Sequence, residues 1–287
     1  MKSTSIVRVF MAVYITVFFI YLFLPLVFMV SAAFNSSAIP SVVPWKGATL
    51  SWFGVLAGDR ILWEAIMNSF IIGAGVVMLS IPIGLAGALL LTSRNLKGRS
   101  FLYSLMASPI LTPGIILGIS SLIFWDRFGV PGGIALTIIA QTTFIASFCM
   151  LMFMARLQRF DRTLEEAALD LGASHRQVFM KIMIPFLKPT FFSAMFIAFL
   201  QSFENYNTTL FVIGIKTTMT IRVASMVRLG LTPEINALAV LFISFTIVTA
   251  VSYEIRRRKE ARMLTAVNEL AKREVRMKKL NLGIQPE

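Results

Sequence analysis

The chain has 287 residues, 57% of them hydrophobic and 14% charged, against roughly 45–50% and about 25% in soluble domains, which excludes an ordinary water-soluble fold and points to lipid as the solvent. Its formal net charge of +13 raises nucleic acid as a partner, but the aromatics lie largely inside apolar runs and do not alternate with basic groups as a base-stacking platform requires, so no nucleic acid is expected. A single cysteine, Cys149, supplies neither a disulfide nor a multi-thiolate metal site and reads as a small buried hydrophobe.

Six apolar runs reach the length of about 20 residues needed to cross a bilayer: 9–33, 66–91, 101–124, 134–155, 191–214 and 235–253. The first follows Lys2 and Arg8 and ends on Ser31-Ala32-Ala33, which resembles a signal-peptidase site. It is longer than the roughly 7–15 residues of a signal-peptide core, so a retained anchor is expected. Lys and Arg set the orientation: 21 of the 27 fall in the N-terminal segment, the 92–100 and 156–190 loops and the tail from 254. By the positive-inside rule these segments are cytoplasmic. The expected fold is therefore an all-α integral membrane protein with six transmembrane helices and both termini in the cytoplasm, a six-span domain over 1–253 and a basic tail over 254–287.

After the first run, loop 34–65 carries Pro40, Pro44, Gly47, Trp45 and Trp52, a structured surface segment with aromatic contacts near the interface. The second run is rich in small residues, among them Gly73, Gly75, Gly84 and Gly87, which permit close helix approach in a bundle. Pro82 in that run, and Pro109, Pro113 and Gly114 in the third, deprive the backbone of partners. Two readings stand for them, kinking with close packing or a pathway beside broken backbone.

Between the fourth and fifth runs the 156–190 loop reads as two short helices around a glycine. Thr163 with Glu166, and Ser174 with Gln177, each match a capping box, and Gly172 is the turn between them. The second helix is expected to end near Pro185. Arg156, Arg159 and Arg162 are expected to set topology and to touch lipid phosphate or a partner. His175 has no second histidine or clustered carboxylates at metal spacing, so no metal site is expected there.

The stretch EAALDLGASHRQVFMKIMIP, with Glu166, Ala167, Ala168, Gly172, Ile182 and Pro185 in register, resembles the EAA loop of binding-protein-dependent ABC importer permeases of the type I fold. Ile184 stands where a leucine is common. The resemblance covers the six-span plan to about residue 253. SPILTPGIILG at 108–118 and SFENYNTTLFVIG at 202–214 resemble the spermidine/putrescine group in particular. Permeases for iron, thiamine, phosphonate and opine importers are related and remain alternatives.

The resemblance implies a coupling helix that docks on a cytoplasmic ATPase, with Ala167 and Ala168 allowing close approach, Gly172 setting the elbow and Glu166 available for polar contact. It further implies a second permease subunit, two ATPase subunits and an extracytoplasmic solute-binding protein. ATP and Mg would be bound by those ATPase subunits, since GIKTT from Gly214 lacks the glycine-rich loop of a P-loop. No cofactor is expected on this chain, and no enzyme activity.

Glu204 is the one acidic residue inside the six runs, where a charge is costly and faces a bundle interior or a wet cavity. With Asn205, Tyr206, Asn207, Thr208 and Thr209 it forms a polar band, to which Gln141, Thr142 and Thr143 of the fourth run add. A carboxylate there balances a small cationic solute such as a polyamine. A structural hydrogen bond, an ion pair to the partner permease or a neutral buried carboxyl are the other readings. After the sixth run, Leu264, Val267, Ala271 and Val275 recur at helical spacing in the basic tail, which suits anionic lipid, a cytoplasmic partner or solvent. A lipid-modifying enzyme would gather ionisable groups at one interface, and a membrane scaffold leaves the EAA spacing without a reason.

Overall fold

The computed structural model describes residues 2–93, 96–229, 233–249, 251, 252, 254, 255 and 258. Among them the chain is helical, with no strand and one isolated bridge between Asn35 and Ala48. In chain order the helices are α1 (Lys2–Ala33), α2 (Ser51–Gly58), α3 (Arg60–Thr92), α4 (Arg99–Leu111), α5 (Gly114–Asp126), α6 (Ile134–Leu157), α7 (Thr163–Asp170), α8 (His175–Val178), α9 (Ile184–Phe203), α10 (Thr209–Val212), α11 (Met219–Leu229) and α12 (Pro233–Thr249). The basic tail lies outside the described residues apart from Glu254, Ile255 and Arg258.

The chain divides into two units, one of segments Met1–Leu56 and Leu231–Glu287, the other Ala57–Gly230. In the first, the loop after α1 is built around Asn35, which is fully buried. Its amide donates to the carbonyls of Ser41 and Pro44 at 2.8 and 3.1 Å, and its side-chain oxygen accepts from the Lys46 amide at 2.9 Å. The Trp52 indole donates to the Asn35 carbonyl. One buried amide thus satisfies the backbone of a proline-rich loop that has no ladder of its own.

In the second unit α3, α6 and α9 form the core, with Ile72, Val76, Ile145, Cys149, Met150, Phe153 and Leu187 buried between them. Helices gain little from apolar burial against one another when lipid is the alternative, so contact distance matters most. At Gly84 that distance is minimal: a Cβ there would lie 2.6 Å from the Cβ of Cys149 and 2.8 Å from the Met150 nitrogen. The small residues of the second run therefore serve packing, and α3 passes through Pro82 unbroken.

At 33 residues α3 is about 50 Å long at 1.5 Å per residue, more than the roughly 30 Å hydrocarbon core. Its extra turns hold α11. Asn68 donates to the Thr217 carbonyl, Ser69 accepts from the Met219 amide, and Asp59, the N-cap of α3, pairs with Arg222 at 2.9 Å. Burial pushes the Asp59 carboxyl up, but hydrogen bonds from Arg222 and the Leu62 amide, with the Arg222 charge, outweigh it and hold the pKa below the ordinary value.

The apolar runs do not all become straight spans. Among the described residues four helices are long and apolar enough to cross a membrane, or five if α4 and α5 count as one span bent by 104°. The bend falls where Pro113 removes an amide donor beside Gly114. The fifth run was expected to continue to 214, but α9 stops at Phe203. The sixth forms the shorter apolar helix α12.

Candidate functional site

The segment between α6 and α9 is an elbow. Asp161 starts α7: its carboxylate accepts from the Thr163 amide at 3.0 Å and the Thr163 hydroxyl at 2.8 Å. Those bonds hold the exposed Asp161 carboxyl below its usual pKa. The capping box expected of Thr163 and Glu166 does not form: the Thr163 amide donates to Asp161, and the Glu166 amide, which would have met the Thr163 hydroxyl, donates to the Arg162 carbonyl. The second box does form, Gln177 amide to Ser174 hydroxyl and Ser174 amide to Gln177 side chain. Between the two, Gly172 has φ +85°, a left-handed conformation that side chains disfavour.

The second helix does not end at Pro185. Phe179–Met183 form a π-helical turn in which the Ile184 amide reaches back five residues to Phe179. Pro185 then falls in the first turn of α9, where an amide proton is not required. The widened turn resolves the clash that the sequence pattern reads as a stop. Glu166, Ala167, Gly172 and Pro185 are exposed, with Ala168 and Ile182 half-buried. Leu171, beside the glycine, is 89% exposed. His175 is exposed at the start of α8.

Two of the arginines expected at lipid or a partner turn inward instead. Arg156 donates to the Phe186 carbonyl, and Arg162 to the carbonyl of Thr92, the last residue of α3. At Thr92, the C-terminal end of α3, the carbonyl lacks an intrahelical donor and carries the negative end of the helix dipole, so the Arg162 guanidinium suits it better than water does.

A second site lies where two broken helices meet. Glu204 is the C-cap of α9, at its end and not in the middle of a span as the run length suggested. Asn205 accepts from the Thr208 amide at 3.1 Å, and the Thr208 hydroxyl donates to the Gly114 carbonyl at the α4–α5 break, 3.2 Å away. Around this junction Glu204, Asn205, Tyr206, Asn207 and Thr208 line a cleft of about 300 Å³ with Gly114, Gln201 and Phe144. Arg228 donates to the Tyr206 hydroxyl at 3.0 Å.

Gln141 does not line this cleft. It is buried behind it, accepting from Ser202 before the break and donating to Thr209 after it. Thr142 bonds its own helix at the Ile138 carbonyl. With Thr143, Met106, Pro109 and Ser147 it lines a separate, mostly apolar cavity of about 370 Å³. Phe144 and Ser202 were not singled out by sequence, whereas Gly114 was, with Pro113, as broken backbone beside a pathway. Only the acid and amides after Phe203 carried a composition signal, whereas Thr208 and Gly114 are 94 positions apart.

A family model described as binding-protein-dependent transport system inner membrane component matches residues 80–262, a span that holds both the elbow and the cleft. The chain belongs to this family. It is thus a multi-pass permease of the bacterial inner membrane, a transport subunit of an ABC importer and not an enzyme. The permease is 32% identical over 233 residues to the putrescine transport system permease protein PotI of Escherichia coli strain K12, covering 78% of this chain and 82% of that one. It is 26% identical over 243 residues to the spermidine/putrescine transport system permease protein PotC of the same strain, covering 84% and 91%. Its fold matches a chain of a bacterial ABC transporter involved in the import of the acidic polysaccharide alginate, at TM-score 0.67 and 16% identity, over 90% of the permease and 98% of that chain.

Proposed function

We propose that this permease conducts a small cationic amine, a polyamine such as putrescine or spermidine, past Glu204. The observation that carries the reading is the carboxylate placed at the C-terminal end of α9. A helix dipole makes that end negative, so an acid there weakens the helix. A cation gains from the acid and the dipole together. Broken helices inside a membrane line cavities, and Phe144 and Tyr206 beside Glu204 add aromatic faces that attract ammonium groups.

The charge favours this cargo over the phosphonate, opine and ferric alternatives, while thiamine, itself a cation, is separated from it only by the relation to known polyamine permeases. Phosphonates and the carboxylates of opines would be repelled by Glu204, and a ferric ion asks for several hard oxygen ligands where the cleft has one acid. The relation to PotI and PotC supports the same choice.

The proposed working unit pairs this chain with a second permease subunit, two ATPase subunits that bind ATP and Mg, and an extracytoplasmic solute-binding protein. Residues 1–253 form a six-span domain, α12 being the sixth span. Its termini, elbow and basic tail at 254–287 lie in the cytoplasm, as the distribution of Lys and Arg argues. The elbow docks on the ATPase through Glu166, Ala167, Ala168, Gly172, Ile182 and Pro185, and the exposed Leu171 gains an apolar contact there.

The test is uptake by the complete importer in proteoliposomes with Glu204→Gln. The isosteric change removes one charge-assisted contact, so the KM for putrescine or spermidine should rise about ten- to a hundredfold with assembly and ATP hydrolysis retained. An unchanged KM would remove Glu204 from the path. An equal loss for a neutral solute carried by the same complex would make its role structural.

A further inference from the structure

The elbow hangs from a narrow neck, and one residue closes it. Arg156, in the last turn of α6, crosses to the base of α9. Its Nε and Nη2 donate to the Phe186 carbonyl at 3.3 and 3.2 Å. The same guanidinium lies over the Phe186 ring, 4.0 Å from its centroid. Phe160 meets that ring edge-on at 5.2 Å, and one layer further along Phe153 packs edge-on against Phe191 at 4.9 Å. Phe186 is therefore held by its carbonyl, its ring face and its ring edge. On the other side of the neck Arg162 holds the end of α3.

The π-helical turn at Phe179–Met183 lies between this clasp and the tip of the elbow. Single π-turns inside α-helices occur frequently at functional sites and at kinks. Pro185 and Pro189 remove two further amide donors from the same stretch. Without a fixed point beyond it, displacement of the tip would be absorbed as bending here.

We infer that Arg156 is a positioning residue for coupling: by fixing Phe186 it makes the elbow a lever whose fulcrum is the neck, so that force at Gly172 reaches α6 and α9 together. Arg162 extends the same transmission to α3. A lysine carries one compact charge and cannot hold carbonyl and ring face with a planar fork. The inference rests on the proposed docking of the elbow on an ATPase.

The experiment uses the complete importer in proteoliposomes, with solute imported per ATP hydrolysed as the readout. Leu171→Cys, crosslinked to the ATPase, reports docking. In Arg156→Gln the crosslink and ATP hydrolysis should persist while the import ratio falls roughly five- to tenfold, and Arg156→Lys should recover part of it. If Arg156→Gln does not assemble, Phe160→Leu removes the ring edge alone and should lower the ratio to a smaller extent. An unchanged ratio with the crosslink intact overturns the clasp and leaves docking standing. A missing crosslink in the otherwise unaltered importer overturns the docking reading, and the clasp with it.

Discussion

The hydroxyl of Thr208 donates to the carbonyl of Gly114, and through that bond the breaks in two membrane helices meet. Each break exposes backbone groups that lipid cannot satisfy. Each is tolerated here because the other break, and side chains around it, supply partners.

Gln141 is the buried part of that arrangement, bridging Ser202 and Thr209 on either side of the α9 break. Gln141→Leu leaves the Ser202 hydroxyl without this acceptor, while Thr209 keeps its bond to the Asn205 carbonyl. Interhelical hydrogen bonds in membranes contribute on the order of 1 kcal/mol, so a loss of about 1–2 kcal/mol is expected in thermal unfolding of the purified permease. A variant as stable as the unaltered protein would mean the bridge contributes nothing.

At Gly172 space is open, with no atom within 4 Å of where a Cβ would stand, and the constraint is the backbone alone. A side chain in this left-handed conformation costs about 1–2 kcal/mol. Gly172→Val should therefore allow insertion and ATP hydrolysis but lower coupled uptake, and Gly172→Asn, which tolerates that conformation better, should lower it less. Uptake by the valine variant equal to that of the unaltered importer would exclude the turn from coupling.

Asp59 gives a pH dependence with a definite sign. Its pKa is lowered on folding from the reference value of 3.8, so the folded state binds fewer protons and the carboxylate stabilises the fold above that value. The contribution is lost only as pH falls through the lower folded value. Asp59→Asn should cost on the order of 1.5–3 kcal/mol, the usual range for hydrogen bonds to a charged group. The gap between variant and unaltered protein should stay constant from neutral pH to about pH 5 and close only below 3.8. A gap that closes between pH 7 and 6 would assign the effect to another group.

The helices α3 and α6 were legible because a run of apolar residues has one stable form in lipid, and the run lengths at 66–91 and 134–155 placed them. The elbow was legible too, since Gly172 and the Ser174–Gln177 box are local chemistry within a few residues. Asp161 was missed although an acid two residues before a helix-starting threonine is a readable signal. The inward turn of Arg156 and Arg162 left no such signal, because a charged side chain reads the same in sequence whether it meets lipid phosphate or a carbonyl 30 residues away.

By itself the sequence determined that this protein lives in a membrane, that it is helical and that it carries a loop with the EAA spacing of its family, because hydrophobic runs and short-range spacing need nothing beyond their own neighbourhood. Only the tertiary structure decided that Glu204 ends a helix and does not sit inside one, and that Gln141 is a brace behind the cleft. Those outcomes depend on which distant backbone groups come within hydrogen-bonding reach. Run length cannot report that reach, because an apolar stretch stays apolar whether its helix continues or breaks.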